Sequence, residues 1–434
     1  MHEQDWLRLP YEIWLKILVD YGITAVDLAS MDRCCKWFSH CLGGKSLTEE
    51  AARIIIRKCK VKRFGELTNR VSASTTAGSF QNVLTLHGHL LTWGAGLFGQ
   101  LGNNELEDKA TAQDATNFIY PQAGKIVQVS AGCGHTGLIT EKGYAFTCGD
   151  DRYNQLGHSD FRGKLCSIPK RVTENLGGVR CVQIACGSSH TLFLTEQGKV
   201  YTVGQGDTGQ LGLGDAMVSK TPTCIPFPYD EYNIVSIAAG IAHNILVSEC
   251  GRAFTFGLGS SGQLGHGGTK YLSKPTMVAV LWDKKIIAAA AGVSHSIFLD
   301  SKGVVYTCGS GKGILGHNNS RMYTVPTKVQ ALEGIKVARV IAGVTMSIFV
   351  AHDGTAFWCG EDMVVKGSAS FVPRVMLLPE PLESAAIGNT HVVLLLKSGR
   401  LMSIGSNGRF QTGHSTTEVI QNYTYLDLNV KPIA

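Results

Sequence analysis

The chain has 434 residues, of which 44% are hydrophobic, 17% are charged and 51 are glycine, so it is turn-rich, can bury a large core and does not have the composition of a disordered chain. Its net charge of +6 is spread along the whole length, which gives no electrostatic ground for a nucleic-acid partner. Charges at Glu3, Asp5 and Arg8 stand where a signal peptide needs an apolar run, and no stretch reaches the roughly 18 apolar residues of a membrane span. A soluble protein of the cytoplasm or nucleus, with no membrane partner, is expected.

The first predicted element is a helix in "LPYEIWLKILVD", residues 9–20. Pro10 suits a first helical turn, and Glu12, Lys16 and Asp20 form one polar stripe. Leu9, Ile13 and Ile17 share a face that Trp14, Leu15, Leu18 and Val19 widen beyond the needs of a small core. A second helix is predicted in "TAVDLASMDRCCKWFSHCL". Thr24 would cap it, and Leu28, Met31, Cys35, Phe38 and Leu42 recur at helical spacing. Gly43 and Gly44 break the pattern and "SLTE" from Ser46 restarts it. These helices carry more apolar surface than about 50 residues bury among themselves, which calls for a partner.

Next comes "RIIIRKCKVKRF" from Arg53, with six basic residues and no acid. A solvated linker helix is favoured over a nuclear-import or nucleic-acid segment, because the apolar Ile54, Ile55 and Ile56 argue for packing.

From residue 71 onward one plan recurs seven times. A small residue and a glycine lead into a short apolar run and a turn glycine (Gly88, Gly143, Gly198, Gly251, Gly303, Gly354, Gly399). A further apolar run ends in another glycine (Gly94, Gly149, Gly204, Gly257, Gly309, Gly360, Gly405), always six residues after the turn glycine. In the third copy "HTLFLT" and "KVYTVG" flank "EQG", a hairpin whose glycine supplies the turn. An apolar run precedes each hairpin. A proline-led one follows most of them, as in "TPTCIPF", "KPTMVAV", "VPTKVQAL" and "VPRVMLL". Four strands every 45 to 55 residues describe a propeller blade, and seven copies predict seven blades. The first copy lacks a clear proline-led strand, and "QNYTYLDLNV" near the end is expected to supply a strand that closes the ring.

Three glycine loops, "GAGLFG", "GQGDTG" and "GLGSSG", match a dinucleotide fingerprint, but none opens the helix on which a pyrophosphate would sit. His135, His190, His243, His295 and His391 recur after the first glycine, and His158, His266, His317 and His414 after a later one. Equivalent positions in separate blades do not converge on one ion, so hydrogen-bonded structural roles are expected and no metal or other cofactor. His87 and His89 flank a hairpin glycine and are read as exposed turn residues. Thirteen cysteines without a CxxC pair suggest free thiols, and no nucleophile elbow or carboxylate pair marks an enzyme.

Two resemblances follow from these residues. The pattern "AGxxH…G…G…GQLG", as in "AGIAHNILV…GQLG", resembles the repeat of the regulator of chromosome condensation family, whose members are seven-bladed propellers; it covers residues 71–434. Leu9, Pro10, Glu12, Ile13, Ile17, Leu18, Asp27, Leu28, Cys35, Lys36 and Phe38 fall in the order of the F-box family. The division implied is an F-box over 1–45, a helical basic linker over 46–70 and the propeller over 71–434. The fold class expected is mainly β, a seven-bladed propeller preceded by a small all-α module.

The F-box resemblance implies a non-catalytic, substrate-recognising subunit of an SCF-type cullin–RING ubiquitin ligase. Leu9, Pro10, Ile13, Ile17, Leu18 and Leu28 would contact the adaptor, cullin would follow through it, and the propeller would hold an unidentified protein substrate. A helical cap over a propeller edge is the plainer alternative for these helices, though it leaves their wide apolar face unexplained. The propeller resemblance implies instead nucleotide exchange on the small GTPase Ran with chromatin binding. Plant ultraviolet-B receptors share the repeat but place tryptophans after the "AG" glycine, where this chain has Cys133, Ser188, Ile241, Val293 and Val344. Among the seven copies the sixth departs most. Met346 replaces the histidine, and "GEDMVVKGSASFVPRV" replaces the usual loop, marking Glu361 to Phe371 as a place for special contacts.

Overall fold

The computed structural model describes residues 72–74, 81–86, 89–119, 123–160, 164–215, 217–365 and 367–426, with side chains from His89 onward. All of them lie within the compact unit Val71–Ala434. A first antiparallel sheet joins β1 (Ser72–Ser74), β2 (Gln81–Leu86), β3 (His89–Gly94) and β4 (Lys109–Asp114). Blades of four strands follow in chain order. They are β5 (Ile126–Ala131), β6 (His135–Thr140), β7 (Ala145–Gly149) and β8 (Cys166–Arg171); then β9 (Cys181–Cys186), β10 (His190–Thr195), β11 (Val200–Gln205) and β12 (Val218–Cys224). The next two are β13 (Ile234–Ala239), β14 (His243–Ser248), β15 (Ala253–Gly257) and β16 (Leu272–Met277), and β17 (Ile286–Ala291), β18 (His295–Asp300), β19 (Val305–Gly309) and β20 (Tyr323–Lys328). The last two are β21 (Val337–Ala342), β22 (Met346–Ala351), β23 (Ala356–Glu361) and β24 (Ala369–Val375), and β25 (Leu382–Ile387), β26 (His391–Leu396), β27 (Leu401–Gly405) and β28 (Ile420–Tyr425).

The strand types follow from the sequence. Second strands such as "HTLFLT" are buried throughout because each is covered by sheets on both faces, and all six residues of β10 are buried. Their fourth positions, Leu138, Phe193, Leu246, Phe298, Phe349 and Leu394, are fully buried, and each such side chain contributes roughly 2 kcal/mol. Outer strands are less buried than the second strands and accept proline, as at Pro169, Pro222, Pro275, Pro326 and Pro373, because an edge strand need not donate every N–H. Between third and outer strands the register slips just before the last glycine of each copy, for example between Thr202 and Gly204. There Gly204 has φ +112°, and a Cβ would lie 2.4 Å from the Ser189 carbonyl oxygen, so the close approach itself requires glycine.

The core is a series of layers between neighbouring sheets. Leu192, Leu194 and Val200 of one blade pack on Ile234, Ile237, Leu246 and Phe254 of the next. The same arrangement joins the last blade to the first sheet, where Leu91 and Trp93 of β3 pack against Val393, Leu395 and Leu401. Arg409 pairs with Asp108 across this junction at 3.3 Å.

Several expectations are corrected. The described residues complete six propeller blades, β5–β28, and contain no α-helix, so a seven-bladed propeller behind an all-α module is not what the structure shows. In the first sheet β1 and β2 are described in backbone alone, and β1 has three residues. The module over 1–45 lies outside the described residues. The tail does supply a strand: β28 pairs with β27 and completes the last blade, which packs on the first sheet through the side chains around Trp93. The first copy does have an outer strand, β4, whose "KATAQD" carries no proline to announce it. His89 is not a free turn residue: it begins β3, and its ring lies 3.1 Å from an Asp114 carboxylate oxygen.

Candidate functional site

The recurring histidines form a relay between blades. His135 Nε2 lies 2.9 Å from Thr191 Oγ1, His190 Nε2 2.8 Å from Asn244 Oδ1, His243 Nε2 3.0 Å from Ser296 Oγ and His295 Nε2 3.0 Å from Ser347 Oγ. Each partner then donates onward to a loop carbonyl: Thr191 to Gln155, Asn244 to Gln210, Ser296 to Gln263 and Ser347 to Ile314, at 2.7 to 2.8 Å. Since those hydroxyls spend their proton on a carbonyl, the imidazole Nε2–H must be the donor, which sets the tautomer. Burial pushes His135, His243 and His391 down to about 3 and His190 and His295 to about 4, so the rings are neutral near pH 7.

The second histidine set is local. Thr147, Thr255, Thr307 and Ser403 face Nε2 of His158, His266, His317 and His414 at 2.8 to 3.1 Å, within their own blades. Among the described residues no group of three His, Cys, Asp or Glu side chains could hold a metal ion. The fingerprint-like glycine loops from Gly94, Gly204 and Gly257 each connect a third strand to an outer strand, and none meets a helix.

The relay is broken at the sixth copy. Ser347 accepts from His295, but the next donor position holds Met346, and the next acceptor position holds Val392. A thioether and an isopropyl group thus meet where other blades place an imidazole and a hydroxyl or amide. Beside this apolar step opens a cleft of about 230 Å³, lined by Trp358, Asp362, Met363, Met376, Ile404 and Tyr423 among others. Its wall includes the loop that the sequence marked between Glu361 and Phe371. Asp362 holds that loop in shape by accepting the backbone N–H groups of Val364 and Val365 at 2.8 and 3.0 Å. Val365 is 58% exposed at the loop tip. Tyr423 comes from the tail strand β28; burial, then the Asp362 charge, pushes its hydroxyl up to about 12, so it stays a neutral hydrogen-bonding group. The cleft can receive an apolar side chain next to a polar tip.

The sequence marks Met346 and the loop, but gives no sign of Met376 and Tyr423. The absent histidine and the altered loop were the two signals that this junction differs. The expected adaptor contacts Leu9, Pro10, Ile13, Ile17, Leu18 and Leu28 all lie outside the described residues. No described helix is long and apolar enough to cross a membrane.

Comparison with known proteins agrees with the repeat. The ultraviolet-B receptor UVR8 of Arabidopsis thaliana is 32% identical over 66% of this chain and 64% of its own length. The E3 ubiquitin-protein ligase HERC2 of Homo sapiens is 32% identical over 63% of this chain, but the match spans 6% of that protein. The chain therefore spans less than two thirds of either relative. Prp20p of Saccharomyces cerevisiae superposes with a TM-score of 0.71 at 20% identity, covering 84% of this chain and 89% of the other, which shows a shared fold. Residues 57–293, more than half of the chain, match the RCC1-like domain, and residues 302–350 match the regulator of chromosome condensation (RCC1) repeat. The chain belongs to the RCC1-like domain family.

Proposed function

We propose that this chain is a non-catalytic recognition subunit of an SCF-type ubiquitin ligase. Residues 1–45 dock on the adaptor through Leu9, Pro10, Ile13, Ile17, Leu18 and Leu28, cullin follows through the adaptor, and the propeller holds a protein substrate in the cytoplasm or nucleus. The observation that carries this reading is the ordered apolar series from Leu9 to Phe38, which resembles the F-box and presents more apolar surface than so short a segment buries. Such a subunit acts by raising effective concentration and fixing orientation, and it needs no cofactor. Relatives named as ligases, HERC2 and HERC5 of Homo sapiens, support the context, although the matches cover 6% and 21% of those proteins.

A second reading is exchange on a small GTPase or a chromatin scaffold. It is favoured by likeness to the secretion-regulating guanine nucleotide exchange factor of Bos taurus, 31% identical over 62% of this chain and 59% of that protein. Capture of tagged protein from cells, wild type beside the Leu9→Ala, Pro10→Ala double variant, separates the two. Adaptor and cullin recovered with the wild type and lost with the variant support the ligase reading. Neither recovered with the wild type, together with accelerated nucleotide release from a small GTPase, replaces it.

A further inference from the structure

At the hairpin-turn ends of the strands, opposite the ends that border the Met346 cleft, the turns of successive blades repeat one hydrogen bond. The first turn residue donates its N–H to the residue that enters the same blade: Glu196 to Arg180, Glu249 to Asn233, Ser301 to Lys285 and His352 to Lys336. In two of these blades the side chains of the same two residues also pair. Arg180 lies 3.9 Å from Glu196, and Asn233 donates to Glu249 at 2.8 Å.

The blade β17–β20 breaks that pairing. Ser301 stands where Glu141, Glu196 and Glu249 stand in the three preceding blades, so the carboxylate that would face Lys285 is missing. Around this gap is a recess of about 360 Å³ lined by Lys284, Lys285, Lys302 and Lys328 with Ser301 and Tyr306. Lys284 is paired with Asp283 at 2.8 Å and Lys328 with Glu333 at 2.6 Å. Lys285 and Lys302 form no ion pair among the described residues, and both are exposed. The remaining acid, Asp300, is buried at 4% exposure, and one of its oxygens accepts the backbone N–H groups of Lys302 and Val304 at 2.9 Å. Lys336 flanks the same turn, since a Cβ on Gly303 would lie 3.0 Å from its Cα.

We propose that this recess binds a phosphorylated serine or threonine of a protein partner, with Lys285 and Lys302 as the charge contacts and the Ser301 and Tyr306 hydroxyls as donors. Lysine ammonium groups suit a phosphoryl group as adjustable point charges, and hydroxyls add directional bonds. The extent of the positive patch selects the ligand. The turn of the preceding blade carries Glu249 and that of the following blade Asp353, so a polyanion with a charge every few ångströms would run onto carboxylates within one blade's width. A single phosphoryl group on a peptide meets no such cost. The inference rests on the recognition role proposed above and deepens it.

The test uses the full chain and a fluorescein-labelled twelve-residue peptide of glycine and alanine with one central phosphoserine, beside its serine twin and an oligothymidylate of equal length. Fluorescence anisotropy should show the phosphopeptide binding about tenfold tighter than its twin, weakening as salt rises and strengthening from pH 5 to pH 7.5 as the phosphate gains its second charge near pH 6. Lys285→Gln with Lys302→Gln should lower affinity about tenfold with unchanged thermal unfolding, whereas Lys199→Gln with Lys220→Gln should leave it unchanged. Equal binding of the serine peptide, equal loss with the control pair, or an oligonucleotide that binds more tightly would each overturn the proposal. The assay contains no adaptor, so its failure is separate from failure of adaptor capture.

Discussion

The buried histidine relay predicts a sharp acid limit on stability. An unfolded histidine titrates near 6.5, while His135, His190, His243, His295 and His391 in the folded propeller sit at about 3 to 4 because burial disfavours their charged form. A lowered folded value means the unfolded chain binds more protons, so the stabilisation is complete above pH 6.5 and is lost as pH falls from there towards 4. At pH 5.5 each unfolded imidazole is about nine-tenths protonated and each folded one nearly all neutral, a cost of roughly 1 to 2 kcal/mol per histidine. Five together cost roughly 5 to 10 kcal/mol, comparable with the roughly 5 to 15 kcal/mol that holds a typical domain folded. Guanidinium unfolding followed by tryptophan fluorescence at pH 7.5 and 5.5 reads this directly. His190→Gln keeps a side-chain donor for Asn244 and removes one titrating group, so its pH-dependent loss should be roughly 1 to 2 kcal/mol smaller than that of the wild type. A loss below about 3 kcal/mol between the two pH values, or a His190→Gln variant with the wild-type pH dependence, would refute the reasoning.

Two further outcomes test the packing. Gly204→Ala should cost more than about 2 kcal/mol, because φ +112° is closed to alanine and its Cβ would meet the Ser189 carbonyl oxygen, while Gly178→Ala, with open space around it, should be near neutral. Equal guanidinium midpoints for the pair would show that this close approach carries no weight. Met346→His should destabilise the sixth junction by about 1 to 3 kcal/mol, since the new ring would face the methyl groups of Val392; adding Val392→Ser should recover at least half of that loss by restoring an acceptor. Strictly additive effects in this double-mutant cycle would mean that the two positions do not form one step of the relay.

How much of this was legible follows from range. The spacing of six between turn glycine and last glycine identifies every hairpin, because the turn and the register slip place their demands on residues a few positions apart. The outer strands were visible where proline led them and invisible in "KATAQD", where an edge strand without proline carries no signal. The neutral, structural role of the histidines could be anticipated from their equivalent places in separate blades.

By itself, the sequence determined the repeat, the four-strand unit and the family, because each rests on local turn chemistry and alternation repeated at a fixed period. The tertiary structure alone decided which groups meet. Relay partners such as His190 and Asn244 are 54 positions apart, the cleft beside Met346 takes Tyr423 from the tail strand, and Trp93 closes the last junction against Leu395. No local rule relates residues at such separations. They are brought together because each blade can bury its apolar face only against its neighbours, and that stacking fixes the polar pairs, the clefts and the exposed lysines at the same time.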